Sequence, residues 1–221
     1  MELMEAMKQR HSVRSYKACK LDDNVKESLQ KKIREINEKS GLHFQLIADE
    51  PKAFDSFMAH YGKFSGVTNY IALVGKKGAD LEEKCGYYGE ELVLYAQQLG
   101  LNTCWVAMTY SKVPGTFQVD DGEKLTVVIS VGYGETQGVV HKSKPADKVC
   151  KTNGEMPEWF KNGVEAALLA PTAMNQQKFL FTLEGKQVAA KAGMGFYTKL
   201  DLGIVKYHFE VGAGIENFSW K

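Results

Sequence analysis

Three short stretches of this 221-residue chain bring together groups able to hold an anion or a heterocycle. The first is RHSVRSY, residues 10–16. In an extended segment Arg10, Ser12 and Arg14 point to one side. Two guanidiniums and a hydroxyl on one face suit a phosphate, because the guanidinium fork donates parallel hydrogen bonds to its oxygens. The same three residues would also make an ordinary solvated basic edge. His11, among them, reads as a packing or phosphate-side residue rather than a general base. A second basic stretch, HKSKP, carries Lys142 and Lys144 after an apolar run. It bears on the same anion only if the fold returns it to Arg10.

The second stretch is LGLNTCWVAM, residues 99–108, where a helix stops at Gly100 and the chain re-enters the core as a strand. Its backbone N–H groups could border a flat ligand, and a core tryptophan after a helix stop would look the same. The third is APTAMNQQ, residues 170–177, at the end of an apolar helix. Thr172, Asn175 and Gln177 both donate and accept, as the edge of a heterocycle requires. Turn capping is the competing reading, since such residues are common in turns. The chain lacks G-x-S-x-G, H-E-x-x-H, a Walker loop and G-x-G-x-x-G, so the chemistries those motifs serve have no support.

The elements that must position these groups follow from periodicity. Helices are expected over 2–9, from Asp22 or Asp23 to Gly41 with Val25, Leu29, Ile33 and Ile36 on one face, over 51–62 and over 80–99. The helix at 51–62 would show Phe54, Phe57, Met58 and Tyr61 on one side. Further helices are expected from Pro157 to Pro171 and over 201–212. HFQLIA (43–48), NYIALVG (69–75), LTVVISVGYG (125–134) and KFLFTL (178–183) read as strands. The polar segment 141–157 reads as a linker. Mixed strands and helices favour a sheet covered by helices. A weak internal repeat is visible, with Gly100 matched to Gly212 and Trp105 to Trp220, and a strand like NYIALVG missing from the second copy.

Composition removes several functions. With 28 basic and 27 acidic residues, no global field attracts nucleic acid or an anionic membrane. No apolar stretch reaches the roughly 20 residues that span a bilayer, so a cytoplasmic protein is expected. Cys19, Cys85, Cys104 and Cys150 are widely spaced and form no metal or redox motif.

Taken together, these stretches resemble the FMN-dependent nitroreductase family. RHSVRSY looks like that family's N-terminal segment that holds the FMN phosphate and ribityl chain. APTAMNQQ looks like its flavin-facing Pro-Ser-x-x-Asn-x-Gln loop, LGLNTCW like its turn along the ring, and VISVGYG with the basic residues after it like its closing segment. The resemblance implies an α+β, three-layer αβα fold with a mixed or antiparallel central sheet. It implies bound FMN and ping-pong hydride transfer from NADH or NADPH to a small quinone- or nitroaromatic-like acceptor. The alternative is a non-catalytic FMN carrier or sensor. By matched position, Arg10, His11, Ser12 and Arg14 would hold phosphate and ribityl, with Lys142 or Lys144 assisting. Pro171, Thr172, Asn175 and Gln177 would face the flavin. Trp105, Val106, Ala107 and Met108 would border its reactive edge, and Lys63 its pyrimidine side. No catalytic side chain and no metal ligand is implied.

Two departures stand out. Lys178 occupies the place of the family's proline, and the loop lies far from its usual place shortly after the arginine segment, which here reads NEKSGLHF. The expectation is therefore a single-chain pseudo-dimer: residues 1–150 carrying the phosphate site and 155–221 carrying the loop, with further homo-oligomerisation possible.

Overall fold

The computed structural model describes all residues, 1–221. They fall into two compact units. One comprises Gln9–Leu81 and Leu92–Val140; the other comprises Met1–Lys8, Glu82–Glu91 and His141–Lys221. The units are thus discontinuous in sequence, where a single cut between 150 and 155 was expected. The first helix and half of the long helix group with the C-terminal segment.

The larger unit is built on an antiparallel sheet of four strands in the order β1 (His43–Ile47), β2 (Tyr70–Lys76), β4 (Glu123–Gly132), β3 (Asn102–Val106). Nearly all of β2 and the second half of β4 are buried, as their unbroken apolar sequence requires. Helix α2 (Asp23–Ser40) covers β1 with Leu29, Ile33 and Ile36. It ends at Gly41, whose left-handed φ of 70° lets its N–H reach the Asn37 carbonyl. The Asn37 side chain then clamps Phe44 by two 2.9 Å bonds, one to its N–H and one to its carbonyl. This fixes how the chain enters β1.

The expected helix over 51–62 is shorter. Glu50 accepts the N–H groups of Lys52 and Ala53, which makes a turn there. Helix α3 (Phe57–Tyr61) begins only after Ser56, whose hydroxyl accepts the Ala59 N–H. Phe54 is consequently in the core, whereas Phe57 and Tyr61 are 83% and 76% exposed.

The smaller unit holds β5 (Cys150–Thr152), β6 (Phe179–Glu184), β7 (Gln187–Ala192) and β8 (Ser219–Trp220), in that order. β6 and β7 form a hairpin, and the outer pairs are parallel. The segment expected to be a linker therefore contributes a strand, and Val149 and Cys150 are buried. Helices α5 (Glu158–Ala167) and α6 (Thr198–Ala213) pack closely, with Phe160, Phe181, Phe209, Phe218 and Trp220 forming one aromatic core. Residues 82–91 of α4 (Leu81–Gln98) join this unit, where Glu90 and His208, both fully buried, pair at 2.8 Å. No helix is long and apolar enough to cross a membrane.

Apart from α3, which lies between β1 and β2, the order α2-β1-β2-α4-β3 recurs as α5-β6-β7-α6-β8. In the first set β3 runs parallel to β2, with the antiparallel β4 between them. In the second, β8 runs parallel to β7 directly. The strands without a counterpart are β4 in the first set and β5 in the second, not the NYIALVG strand, because β7 takes the place of β2. The glycine that ends α6 is Gly214, with φ 75°, and Gly212 lies inside the helix.

Candidate flavin site

In the larger unit, residues 10–16 run extended from the end of α1 (Leu3–Gln9). Ser12 bridges Thr103 of β3, and Val13 N–H donates to the Thr103 carbonyl at 3.0 Å. Val13 and Tyr16 enter the core, where the Tyr16 hydroxyl meets Ser130 Oγ at 2.9 Å. Burial holds that phenol well above its ordinary range. Val13 is buried between a half-buried Ser12 and an exposed Arg14, as alternation along an extended segment requires. Arg10, Ser12 and Arg14 all act on one atom, the Cys104 sulfur. Burial raises this thiol's pKa, and the Arg14 charge, a Ser12 hydrogen bond and the Arg10 charge pull it down. Arg10 is buried, Ser12 half-buried and Arg14 exposed, with its guanidinium 5.9 Å from the centre of the Phe64 ring. The basic groups thus lead from the interior to the surface.

Lys63 belongs to the same neighbourhood. Ser65 N–H donates to the Arg14 carbonyl, and Tyr16 N–H donates to the Ser65 carbonyl. Residues 63–65 therefore lie along 14–16. Lys63 is exposed and has a left-handed φ of 63°. Gly62, just before it, abuts Thr109 so closely that an added Cβ would stand 2.6 Å from that residue's Cβ. This brings the end of β3 alongside: Trp105 and Ala107 are half-buried, Val106 is buried and Met108 is 69% exposed. His11 packs against Gly138, where a Cβ would sit 2.8 Å from its own. Gly134, held by Asn102 Oδ1 at 3.0 Å, sets that return. Asn102, Gly134 and Gly138 have no motif signal, because their role is backbone routing.

In the smaller unit the loop after α5 closes on itself. Gln177 is buried and its amide is fully used: Nε2 donates to the Lys142 carbonyl at 2.8 Å and to Asn175 Oδ1 at 2.7 Å, and Oε1 accepts the Lys144 N–H at 2.8 Å. Asn175 Nδ2 donates to the Lys142 carbonyl at 2.9 Å, and Thr172 Oγ1 accepts the Gln177 N–H at 3.1 Å. The amides that end the helix thus find partners within the chain. Lys144 Nζ is held by the carbonyls of Gln176 and Gln177, at 2.8 and 3.1 Å. Lys142 contributes its carbonyl, and its side chain is exposed. Pro171 and Thr172 are half-buried at the loop's start. Met174, Asn175 and Gln177 have φ of 52°, 52° and 44°, a left-handed run costly for residues with a Cβ.

Asp201 of α6 is the residue beneath this loop. It is 2% exposed, and its two oxygens accept the Ala173 N–H at 2.9 Å and Gln176 Nε2 at 2.8 Å. Burial pushes its pKa up to about 6, against the lowering effect of those two donors. Elsewhere in the larger unit, His43, Asp120 and Glu123 bring three possible ligand atoms within 4.8 Å, although no spacing in the sequence announces them. His43 Nδ1 and Glu123 Oε2 already pair at 2.8 Å, and the Lys76 charge acts on Glu123 as well. A surface cleft of about 630 Å³ in the smaller unit is lined by Thr152–Glu155, Pro157 and Leu183–Gly185, and includes none of the expected site residues.

A family profile described as "Putative TM nitroreductase" matches residues 2–213. No curated protein matches the chain. Among solved structures, one described as a "putative nitroreductase" from Thermotoga maritima is 24% identical, with a TM-score of 0.68 over 96% of this chain and 83% of its own. Another, a "Putative NADH dehydrogenase/NAD(P)H nitroreductase" from Parabacteroides distasonis, is 22% identical, with a TM-score of 0.54 over 69% of this chain and 98% of its own. At these identities the likeness establishes the α+β fold with its antiparallel sheet.

Proposed function

The chain belongs to the nitroreductase family of oxidoreductases, and from that premise we propose that it is an FMN-dependent NAD(P)H oxidoreductase. The observation that carries the proposal is that Arg10, Ser12 and Arg14 all bear on one group, the Cys104 thiol, Ser12 through a hydrogen bond and both guanidiniums through their charge. Two guanidiniums and a hydroxyl around one point suit a phosphate monoester, whose charge Arg binds bidentately. Arg10 and Ser12 would take the buried side of that phosphate and Arg14 its mouth, with Lys63 adding positive charge nearby. Of the two lysines after β4, Lys142 is the one whose ammonium remains available, since Lys144 already caps two carbonyls.

The donor set fits FMN in a second respect. Met108 places an exposed thioether at the end of β3, suited to the rim of a flat ring. The loop Thr172–Gln177 has its amides engaged, so it would meet the ring through its backbone and Met174 rather than through side-chain amides. Bound FMN supplies the redox chemistry, accepting hydride from NADH or NADPH and passing it to a quinone or nitroaromatic in a separate half-reaction. The residues named bind, orient and exclude water, and no side-chain acid or base is required of them.

The test is reduction of the FMN-loaded protein by NADH and, separately, NADPH, followed anaerobically in a stopped-flow instrument. Bleaching of the flavin absorbance, then recovery on adding a quinone, is expected. An FMN-binding protein that neither nucleotide reduces is a carrier or sensor instead. A protein that does not bind added FMN overturns both readings.

A further inference from the structure

We propose that Asp201 is the positioning residue of the loop Ala173–Gln177: it holds this loop in its left-handed conformation and so sets the shape presented to the flavin. The link to flavin rests on the reading above; the holding of the loop does not.

A carboxylate that is 2% exposed is costly unless every lone pair it turns inward is met. Both donors that meet Asp201 come from one loop, the Ala173 N–H on Oδ1 and Gln176 Nε2 on Oδ2. Their geometry is that of a two-pronged clamp, one prong on the backbone at the start of the loop and one on a side chain near its end. Between the prongs lie Met174 and Asn175, both left-handed. Such conformations persist only where surrounding structure over-determines them.

Gln176 extends the clamp. Its Nε2 donates also to the Phe196 carbonyl at 2.8 Å. A Cβ on Gly195 would stand 2.6 Å from its Oε1, so the backbone at 195–196 encloses the amide. One side chain therefore joins Asp201, the loop and the segment before α6. What the arrangement leaves outward is apolar: Met174 is 82% exposed and Phe196 is 77% exposed. Two exposed apolar side chains thus flank a rigidly held polar hinge, as a surface that receives a flat ligand requires.

The core of the unit does not need Asp201. The aromatic cluster, the Glu90–His208 pair and the α5–α6 packing involve other residues. A carboxylate retained at a cost in a place the core does not require is best explained by what it holds.

The test is amide hydrogen exchange on wild type, Asp201→Asn and Gln176→Ala, together with FMN titration and thermal melts of all three. Asparagine keeps the shape of Asp201 but turns an N–H towards one donor. Gln176→Ala removes one prong and leaves the carboxylate in place. Both variants are expected to raise exchange at Ala173, Asn175, Gln176 and Gln177 on the order of tenfold. They are expected to weaken FMN binding by a similar factor, while protection in α5 and in β6 stays as in wild type. Unchanged exchange at 173–177 in both variants overturns the proposal. Uniform loss of protection across the unit in both overturns it too, since Asp201 would then be a core residue. If wild type binds no FMN, the functional reading fails while the exchange data still decide the clamp. Loosened loops with unaltered FMN affinity show that the clamp does not serve the flavin, and that part of the proposal is withdrawn.

Discussion

At the scale of single residues, Asp201 makes a prediction with a definite sign. Its carboxyl stands near 6 in the fold against an ordinary 3.8, chiefly through burial. Between those values the folded chain binds more protons than the unfolded one. Stability from this group therefore falls as pH rises from about 4 to about 6, and levels off above. At about 1.4 kcal/mol per pH unit, the expected loss is roughly 3 kcal/mol. Denaturant titrations of wild type and Asp201→Asn across this range should show the variant gaining on wild type as pH rises, and parallel profiles would sink the assignment. The two lysines make a second prediction. Lys142→Ala should weaken FMN retention with little change in melting temperature, because its ammonium caps nothing. Lys144→Ala should lower the melting temperature, because two carbonyls lose their donor. FMN dissociation measured beside melts checks both, and reversed roles would return Lys144 to the phosphate. These residues were unequally legible. Arg10, Ser12 and Arg14 could be read from a period of two, which is local. Asp201 could not: in TKLDLGIV it looks like an ordinary acidic residue of a first helical turn, and its donors lie 25 and 28 positions away.

Among elements, the contact of α4 with α6 inside the smaller unit depends on two glycines that no sequence pattern flagged. A Cβ on Gly86 would lie 2.0 Å from the Leu200 carbonyl oxygen, and one on Gly203 would lie 1.9 Å from that of Glu83. The helices approach backbone to backbone, and the neighbour on each side is a carbonyl that cannot swing away. Gly203→Ala should therefore destabilise the protein by about 3 kcal/mol or more, although alanine is the better helix former. Gly154→Ala, with open space around it, is the matched control and should be near neutral. Equal melting temperatures for the two variants would contradict this packing. Long periodic helices and the apolar strands β2 and β4 were legible, because each repeats its signal over many residues. The short strands were not. QVAAKA of β7 carries two of the poorer strand formers, Ala and Lys, and is a strand because β6 and β8 flank it. The helix expected from residue 51 starts late: the Phe54 and Asp55 N–H groups close three-residue turns on the Pro51 and Lys52 carbonyls, and Ser56, extended at φ −134°, interrupts the run before capping α3.

For the whole molecule, the question is how many flavins one chain holds. The order α-β-β-α-β occurs twice, with β4 unmatched in the first set and β5 in the second. The chemistry is divided between them unequally. The arginine segment 10–16 precedes the first set only, and the loop 170–177 lies only between α5 and β6. The corresponding place between α2 and β1 is Gly41–Leu42, a tight turn with no polar side chain to offer. A homodimer repeats every site by symmetry, whereas this chain carries one copy of each part. We propose that it behaves as a pseudo-dimer in one respect that can be counted: it binds one FMN per chain and needs no second chain to do so. Flavin released by denaturation, measured against protein concentration, gives the ratio, and native mass spectrometry gives the chain count of the species that carries it. One flavin per chain, kept by a monomeric species on dilution, is the expected result. Two per chain would mean that the second set has a site of its own, which its lack of an arginine segment argues against. One flavin per two chains, or flavin lost as an oligomer dissociates, would mean that the loop serves a neighbouring chain, and the single-chain reading would fall while the roles of Arg10, Ser12 and Arg14 stood.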